Sequence, residues 1–223
     1  MEFAVVGEAA LHVPPAIVTG AGTTSYVTRI DPGQTVMTVH FRPAGARAFL
    51  GMPLSELQDR CVGIDDIFGA SSRTLREQLT ETESAAGRVA LVEQFLLSHM
   101  QFHEQRIHRL LACLDAQPSI TVAEVHTLTA LSPKRLTALF GAEVGLTPKA
   151  YLRVRRLQGA LHRLDTGARG ADIAADLGYF DQAHFVRDFR SFTAITPSQY
   201  PRRRANLPSH LMAEMYKPAA TAG

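Results

Sequence analysis

From residue 107 onward, apolar side chains recur every three or four positions, the period of a helix with one buried face. Ile107, Leu110, Leu111 and Leu114 form the first stripe, which stops before Pro118. Thr121 and Glu124 have the spacing of a capping box and open a short helix through about Leu128. Ser132-Pro133 places a cap before a proline at the first helical position, and Leu136 and Phe140 give that helix its inner face. Thr147-Pro148 repeats the start signal for a longer helix, with Ala150, Val154, Leu157, Leu161 and Leu164 as its stripe and an end near Gly167. A short helix from Ala171 to Leu177 stops at Gly178. Asp181 caps the next, which buries Phe185, Phe189 and Phe192, and Thr196-Pro197 opens a last one. Seven helices are expected in about a hundred residues.

The first half reads differently. Short β-like runs occur at Ala16–Val18, Ser25–Ile30 and Thr35–Phe41, with Asp31-Pro32-Gly33 as a turn between the last two. From Pro53 the pattern becomes helical at Leu54–Arg60, Arg73–Glu81 and Ser84–His103, the last with Val89, Val92, Leu96 and Met100 on one stripe. The fold class is therefore α+β and mainly α. A small β segment plus helices precedes a seven-helix domain, with boundaries at 1–103, 104–205 and a tail at 206–223.

Two stretches of the second half superimpose with a shift of 49 residues. Leu128 pairs with Leu177, Leu136 with Phe185, Phe140 with Phe189, and Leu146 with Ile195. Thr147-Pro148 pairs with Thr196-Pro197, and Tyr151 with Tyr200. Each copy is a short helix, a tight turn and a second capped helix, the build of a helix-turn-helix. The helix from Pro148 to Leu164 joins them.

Charge sharpens this division. The chain has 223 residues and net charge +2, yet residues 1–104 carry 7 basic and 12 acidic side chains, while 105–223 carry 16 and 9. The second half suits an anionic partner such as nucleic acid. At 46% hydrophobic and 20% charged residues, whole-chain disorder is excluded. No apolar run is long enough to span a membrane, and MEFAVVGEAALHV has no basic leader, so a cytoplasmic protein is expected. Cys61 and Cys113 read as inert thiols. His99, His103 and His108 lack the spacing of a metal site, so no metal or cofactor is expected. Gly20-Ala21-Gly22 lacks the lysine of a phosphate loop, and no nucleophile elbow occurs, so catalysis is not expected.

The stretches Tyr151-Leu152-x3-Arg156-Leu157-x2-Ala160, Asp172-Ile173-Ala174-x3-Gly178-Tyr179-x-Asp181-x2-His184-Phe185-x3-Phe189 and Thr196-Pro197-Ser198-x-Tyr200 resemble the DNA-binding domain of the AraC/XylS family of bacterial transcription regulators. The resemblance runs from about Glu104 to Arg204. Ala194 stands where the family usually has glycine, Pro201 where arginine is usual, and His126 where a small residue packs. Phe41-Arg42-Pro43-x-Gly45-Ala46, Leu50–Leu57 and Asp65–Gly69 are similar to the tail of an N-terminal domain of uncharacterised members. Its first 45 residues supply four or five short strands, too few for an eight-stranded ligand barrel.

The resemblance implies a sequence-specific DNA-binding transcription factor. Two recognition helices enter adjacent major grooves, held apart by a linker helix of about 25 Å. It makes Pro133, Lys134, Thr137 and Ala138 groove-facing in the first unit, and Gln182, Ala183, Val186 and Arg187 in the second. Arg187 suits guanine, with a phosphate contact or an ion pair with Asp188 or another acid as the alternatives; Gln182 suits adenine, Ala183 and Val186 thymine methyls, and Lys134 a base or a phosphate. Arg153, Arg155, Arg202, Arg203 and Arg204 are candidates for holding the DNA backbone. Double-stranded DNA and RNA polymerase are the implied partners. A small-molecule effector and a homodimer contact are left open for the first half, and so is the alternative of an interaction protein or small-molecule sensor with weak or lost DNA binding.

Overall fold

The computed structural model describes residues 2–5, 11–24, 26–29, 35–101 and 106–203. These form two compact units. One comprises residues 1–22, 26–105 and 141–146, and the other 23–25, 106–140 and 147–223. The last turn of a helix in the second half therefore clusters with the first.

In the first unit, β1 (Glu2–Val5) lies between β2 (Leu11–His12) and β4 (Tyr26–Arg29), antiparallel to both. A second ladder joins β3 (Ile17–Thr19) to β5 (Cys61–Gly63), with Val18 opposite Val62. The segment at 35–41, expected as a strand, has no ladder among the described residues; Val36, Met37 and Val39 are 40–48% exposed. Its β-type residues lack the cross-strand partner that makes such residues favourable. The expected turn at Asp31-Pro32-Gly33 lies outside the described residues.

Four helices complete the unit, α1 (Arg47–Leu50) before β5 and α2 (Ile64–Phe68), α3 (Ala70–Glu81) and α4 (Ala85–His99) after it. Leu54–Leu57 is a 3₁₀ turn rather than the start of a helix to Arg60, because the chain bends at Asp59 (φ +53) into β5. Asp65 ties α2 to α3: its Oδ1 accepts from Ser72 Oγ at 2.6 Å and its Oδ2 from Arg76 at 2.9 Å. On α4 no residue is buried, and Val89 and Met100 are 49% and 55% exposed. That corrects the expected stripe. The helix is apolar on most sides, so its period could not select a face, and the side near α3 is taken by Phe95 and His99, whose rings meet Phe68 at 5.0 and 4.8 Å.

The second unit holds α5 (Arg106–Asp115), α6 (Val122–Thr129), most of α7 (Pro133–Val144), α8 (Pro148–Asp165), α9 (Gly170–Asp176), α10 (Gln182–Thr193) and α11 (Tyr200–Arg203). The caps predicted at Thr121, Thr147 and Asp181 are in place, whereas the last helix begins at Tyr200, after a turn at 197–199, and not at Thr196-Pro197, whose threonine hydroxyl lies against Ser198 Oγ at 3.0 Å. Thr121 and Glu124 form the reciprocal capping box of α6, Thr147 Oγ1 accepts from Ala150 N–H, and Asp181 Oδ1 accepts from His184 N–H. Each satisfies donors that a helix start would leave unpaired.

Fully buried side chains mark the two helix-turn-helix cores: Val125, Leu136 and Phe140 in the first, Ile173, Phe185 and Phe189 in the second. Phe140 meets Tyr151 at 5.6 Å between ring centroids, and 49 residues on Phe189 meets Tyr200 at 6.0 Å. The repeat is thus a repeat of packing. On α8 the buried residues are Pro148, Tyr151, Leu152 and Ala160, while the expected stripe is only half-covered.

The pairing of Leu128 with Leu177 does not hold, since Leu128 is 59% exposed and Leu177 2%. The second helices align at a shift of 49, but the left-handed residues ending the first helices, Ala130 (φ +52) and Gly178 (φ +71), align at 48. The second turn has one residue more. At Gly178 a side chain is blocked twice over, by its positive φ and by Ser119, whose Cβ would lie 2.9 Å from an added Cβ.

Candidate nucleic-acid interface

α10 presents its faces in the order its sequence requires. Phe185, Asp188, Phe189 and Phe192 are buried, and Gln182, Ala183, Arg187 and Arg190 are exposed. Val186 is half-buried. The Gln182 amide lies back toward the start of α9, where a Cβ added to Gly170 would stand 3.2 Å from Nε2. Gln182 and Val186 share a surface groove with Leu164, Gly170, Thr196 and Pro197. Arg187 has no ion-pair or hydrogen-bond partner among the described residues, because its neighbour Asp188 is turned inward to Arg153. The guanidinium is available to a ligand.

On α7, Leu136 and Phe140 are fully buried, while Pro133, Lys134, Thr137 and Ala138 are exposed. Lys134 is the one cation among those four. This helix offers few hydrogen-bonding groups for base edges.

Two of the arginines expected on the DNA backbone are used inside the unit. Arg153 donates from Nε and Nη2 to Asp188 Oδ1 at 2.8 and 2.6 Å, donates to Ser191 Oγ, and lies 4.7 Å over the Phe192 ring. Arg155 donates to the Leu114 carbonyl and pairs with Asp115 at 3.0 Å. Both sit on α8 facing neighbouring helices, so their charge is spent on packing the linker. Arg204 lies outside the described residues, and for Arg202 and Arg203 the description covers only the backbone.

Beneath α10 lies a polar cluster that joins Arg156 and Tyr179, two of the motif positions, to Asp188, a grouping the sequence did not reveal. Tyr179 is 6% exposed, with Arg156 5.1 Å above its ring. Its hydroxyl and Asp188 Oδ2 are both buried without a well-formed hydrogen bond. Burial first, and the Asp188 carboxylate second, push the Tyr179 phenol well above the usual tyrosine range. Ala194 takes a left-handed conformation (φ +57) after α10, as Gly145 (φ +84) does after α7, so the departure from glycine strains the backbone without changing its course.

His99 Nδ1 lies 2.8 Å from the Phe95 carbonyl and Nε2 3.2 Å from Ser71 Oγ; His103 lies outside the described residues. No group of three metal-ligating side chains occurs among the described residues. No described helix is long and apolar enough to cross a membrane. Cys61 is half-buried and its thiol is pushed up by burial, while Cys113 is exposed.

Residues 127–203 match a family described as a helix-turn-helix domain, and residues 3–63 match a domain of unknown function, DUF6597. The second match includes Phe41–Leu57 but stops before Asp65–Gly69. The regulatory protein SoxS of Salmonella typhimurium is 36% identical over 105 residues, which take in 45% of this chain and 97% of SoxS. An uncharacterised HTH-type transcriptional regulator of Haemophilus influenzae is 27% identical over 150 residues, 66% of this chain and 49% of that protein. The XylDLEGF operon transcriptional activator 3 of Pseudomonas putida is 34% identical over 94 residues, 40% of this chain and 28% of the activator. The chain spans half or less of these last two. Because the matched region takes in the duplicated helix-turn-helix and nearly all of SoxS, the chain belongs to the AraC/XylS family of bacterial transcription regulators.

Proposed function

We propose that this chain is a sequence-specific DNA-binding transcription factor whose α7 and α10 enter adjacent major grooves of one duplex. The observation that carries this is the outer face of α10, where Arg187 stands exposed and unpaired one turn beyond Ala183 on a helix fixed from behind by three buried phenylalanines. A rigid helix with a free guanidinium on its outer face at mid-length and a glutamine at its first position matches the way recognition helices read base edges. The 18 residues of α8 give about 27 Å of stiff spacer between the motifs.

Division of labour follows the division of charge. Residues 104–205 bind DNA, with Lys134, Thr137, Ala138, Gln182, Ala183, Val186 and Arg187 facing bases and Arg202, Arg203 and Arg204 holding the backbone. Residues 1–103 regulate that activity, through a small effector or a homodimer contact, and 206–223 form a tail. The protein works in the cytoplasm at a promoter, where it recruits or blocks RNA polymerase.

Selection on randomised duplex DNA at two salt concentrations tests the reading. The expected result is enrichment of a site with two blocks about one helical turn apart, roughly 34 Å. Salt-sensitive binding with no enriched sequence would reduce the second unit to a backbone binder and overturn the claim of specificity.

A further inference from the structure

Phe180 is 92% exposed, more than any other large apolar side chain in the described residues. It occupies the residue before the N-cap of α10, where an apolar side chain usually folds back onto the fourth helical residue as a staple. Here that residue is Phe185, which is fully buried in the core, and Phe180 does not cover it. The corresponding residue before α7, Leu131, is half-buried. The extra residue of the second turn separates the two cases: between the left-handed position and the cap lie Tyr179 and Phe180, against Leu131 alone.

The backbone that carries the ring is held firmly. Gly178 sets the turn, Tyr179 is buried beneath Arg156, and Asp181 caps α10. Phe180 N–H donates to His184 Nδ1 at 3.4 Å, and the His184 ring stands edge-on to Tyr179 at 5.4 Å. A fully hydrated phenylalanine on so constrained a turn gains from any apolar surface brought to it. The surface nearest the N-terminal end of a recognition helix is the edge of the bases. In the major groove, the apolar group that base edges present is the 5-methyl of thymine.

We propose that Phe180 is a specificity-determining residue of the second helix-turn-helix, packing its ring on the 5-methyl group of a thymine beside the bases offered to Gln182 and Arg187. The proposal rests on the reading that α10 enters a major groove.

The test uses the full chain and the site obtained by selection. Each thymine in turn is replaced by deoxyuridine, which removes only the methyl group, and the affinities of wild type, Phe180→Ala and Arg187→Ala are compared. At one position beside the α10 block, deoxyuridine is expected to weaken wild type about four- to tenfold. Phe180→Ala should show the same loss on the thymine duplex and no further loss on deoxyuridine, with thermal stability unchanged because the side chain is exposed. If Phe180→Ala binds every duplex as wild type does while Arg187→Ala loses base preference, this proposal fails and the DNA reading stands. If Phe180→Ala weakens binding but the deoxyuridine loss persists, the ring acts elsewhere than on a methyl, and the proposal fails. If selection enriches nothing, the underlying reading fails and this proposal with it.

Discussion

Arg153 on α8 and Asp188 on α10 meet at 2.6 Å across 35 residues of sequence, with the carboxylate almost wholly buried and the guanidinium about one-third exposed. The pair fixes the linker helix to the second recognition helix. It also decides which charges remain for a ligand: Asp188 is neutralised from within, leaving Arg187 unopposed on the other side of α10.

Removing one partner of such a pair leaves the other buried without compensation. Asp188→Ala is expected to destabilise the second unit by about 3 kcal/mol, at the lower end for a buried pair because Arg153 retains some water. In a cycle of wild type, Arg153→Met, Asp188→Leu and the double variant, the double should lose less than the two single variants summed. Urea denaturation of the four proteins checks this, and additive losses would mean that the pair carries no coupling.

Ala194 holds φ +57 with a Cβ, which costs about 1–2 kcal/mol relative to glycine in the folded state. Glycine gives back part of that through its freer unfolded chain. Ala194→Gly should therefore stabilise the protein by about 0.5–1 kcal/mol, read as an increase in melting temperature. A decrease would show that the turn is not strained.

Tyr179 has a raised folded-state pKa, caused by burial and then by Asp188. For a group raised in the folded state, the stabilising contribution is fully present below the ordinary tyrosine value near 10 and is lost as pH rises beyond it. Stability is expected to fall above about pH 10 in wild type, and the fall should be shallower in Tyr179→Phe. At neutral pH that variant should match wild type or gain about 1 kcal/mol, since it deletes a buried hydroxyl lacking a good partner. Denaturation at pH 7 and pH 11 measures both.

Arg187→Ala should cost about 1–3 kcal/mol on the selected site and relax preference at one base position. Arg203→Ala should weaken binding to selected and scrambled duplexes alike and reduce the salt slope by about one. Binding titrations at several salt concentrations separate the two. Identical behaviour of both variants on both duplexes would remove the distinction between reading and holding.

A fragment of residues 104–205 should fold, with helical circular dichroism and a cooperative thermal transition. An unfolded fragment would show that the last turn of α7, which clusters with the first unit, depends on it.

Much of the second half follows from local rules. Thr121, Thr147 and Asp181 start their helices because their side chains satisfy backbone donors within three residues, a relationship spelled out in adjacent sequence. Leu136, Phe140, Phe185 and Phe189 face inward because one apolar stripe must be buried, and the duplication of that stripe announced two units of one build. The β segment was less legible. Thr35–Phe41 has the composition of a strand, but a strand exists only when another chain segment completes its ladder. Only the folded chain could settle which arginines are spent inside, because Arg153 and Asp188 become neighbours through the crossing of α8 and α10. The exposure of Phe180 likewise depends on one added residue in a turn and on a core already filled by Phe185, a relationship of volumes that no local pattern of residues encodes.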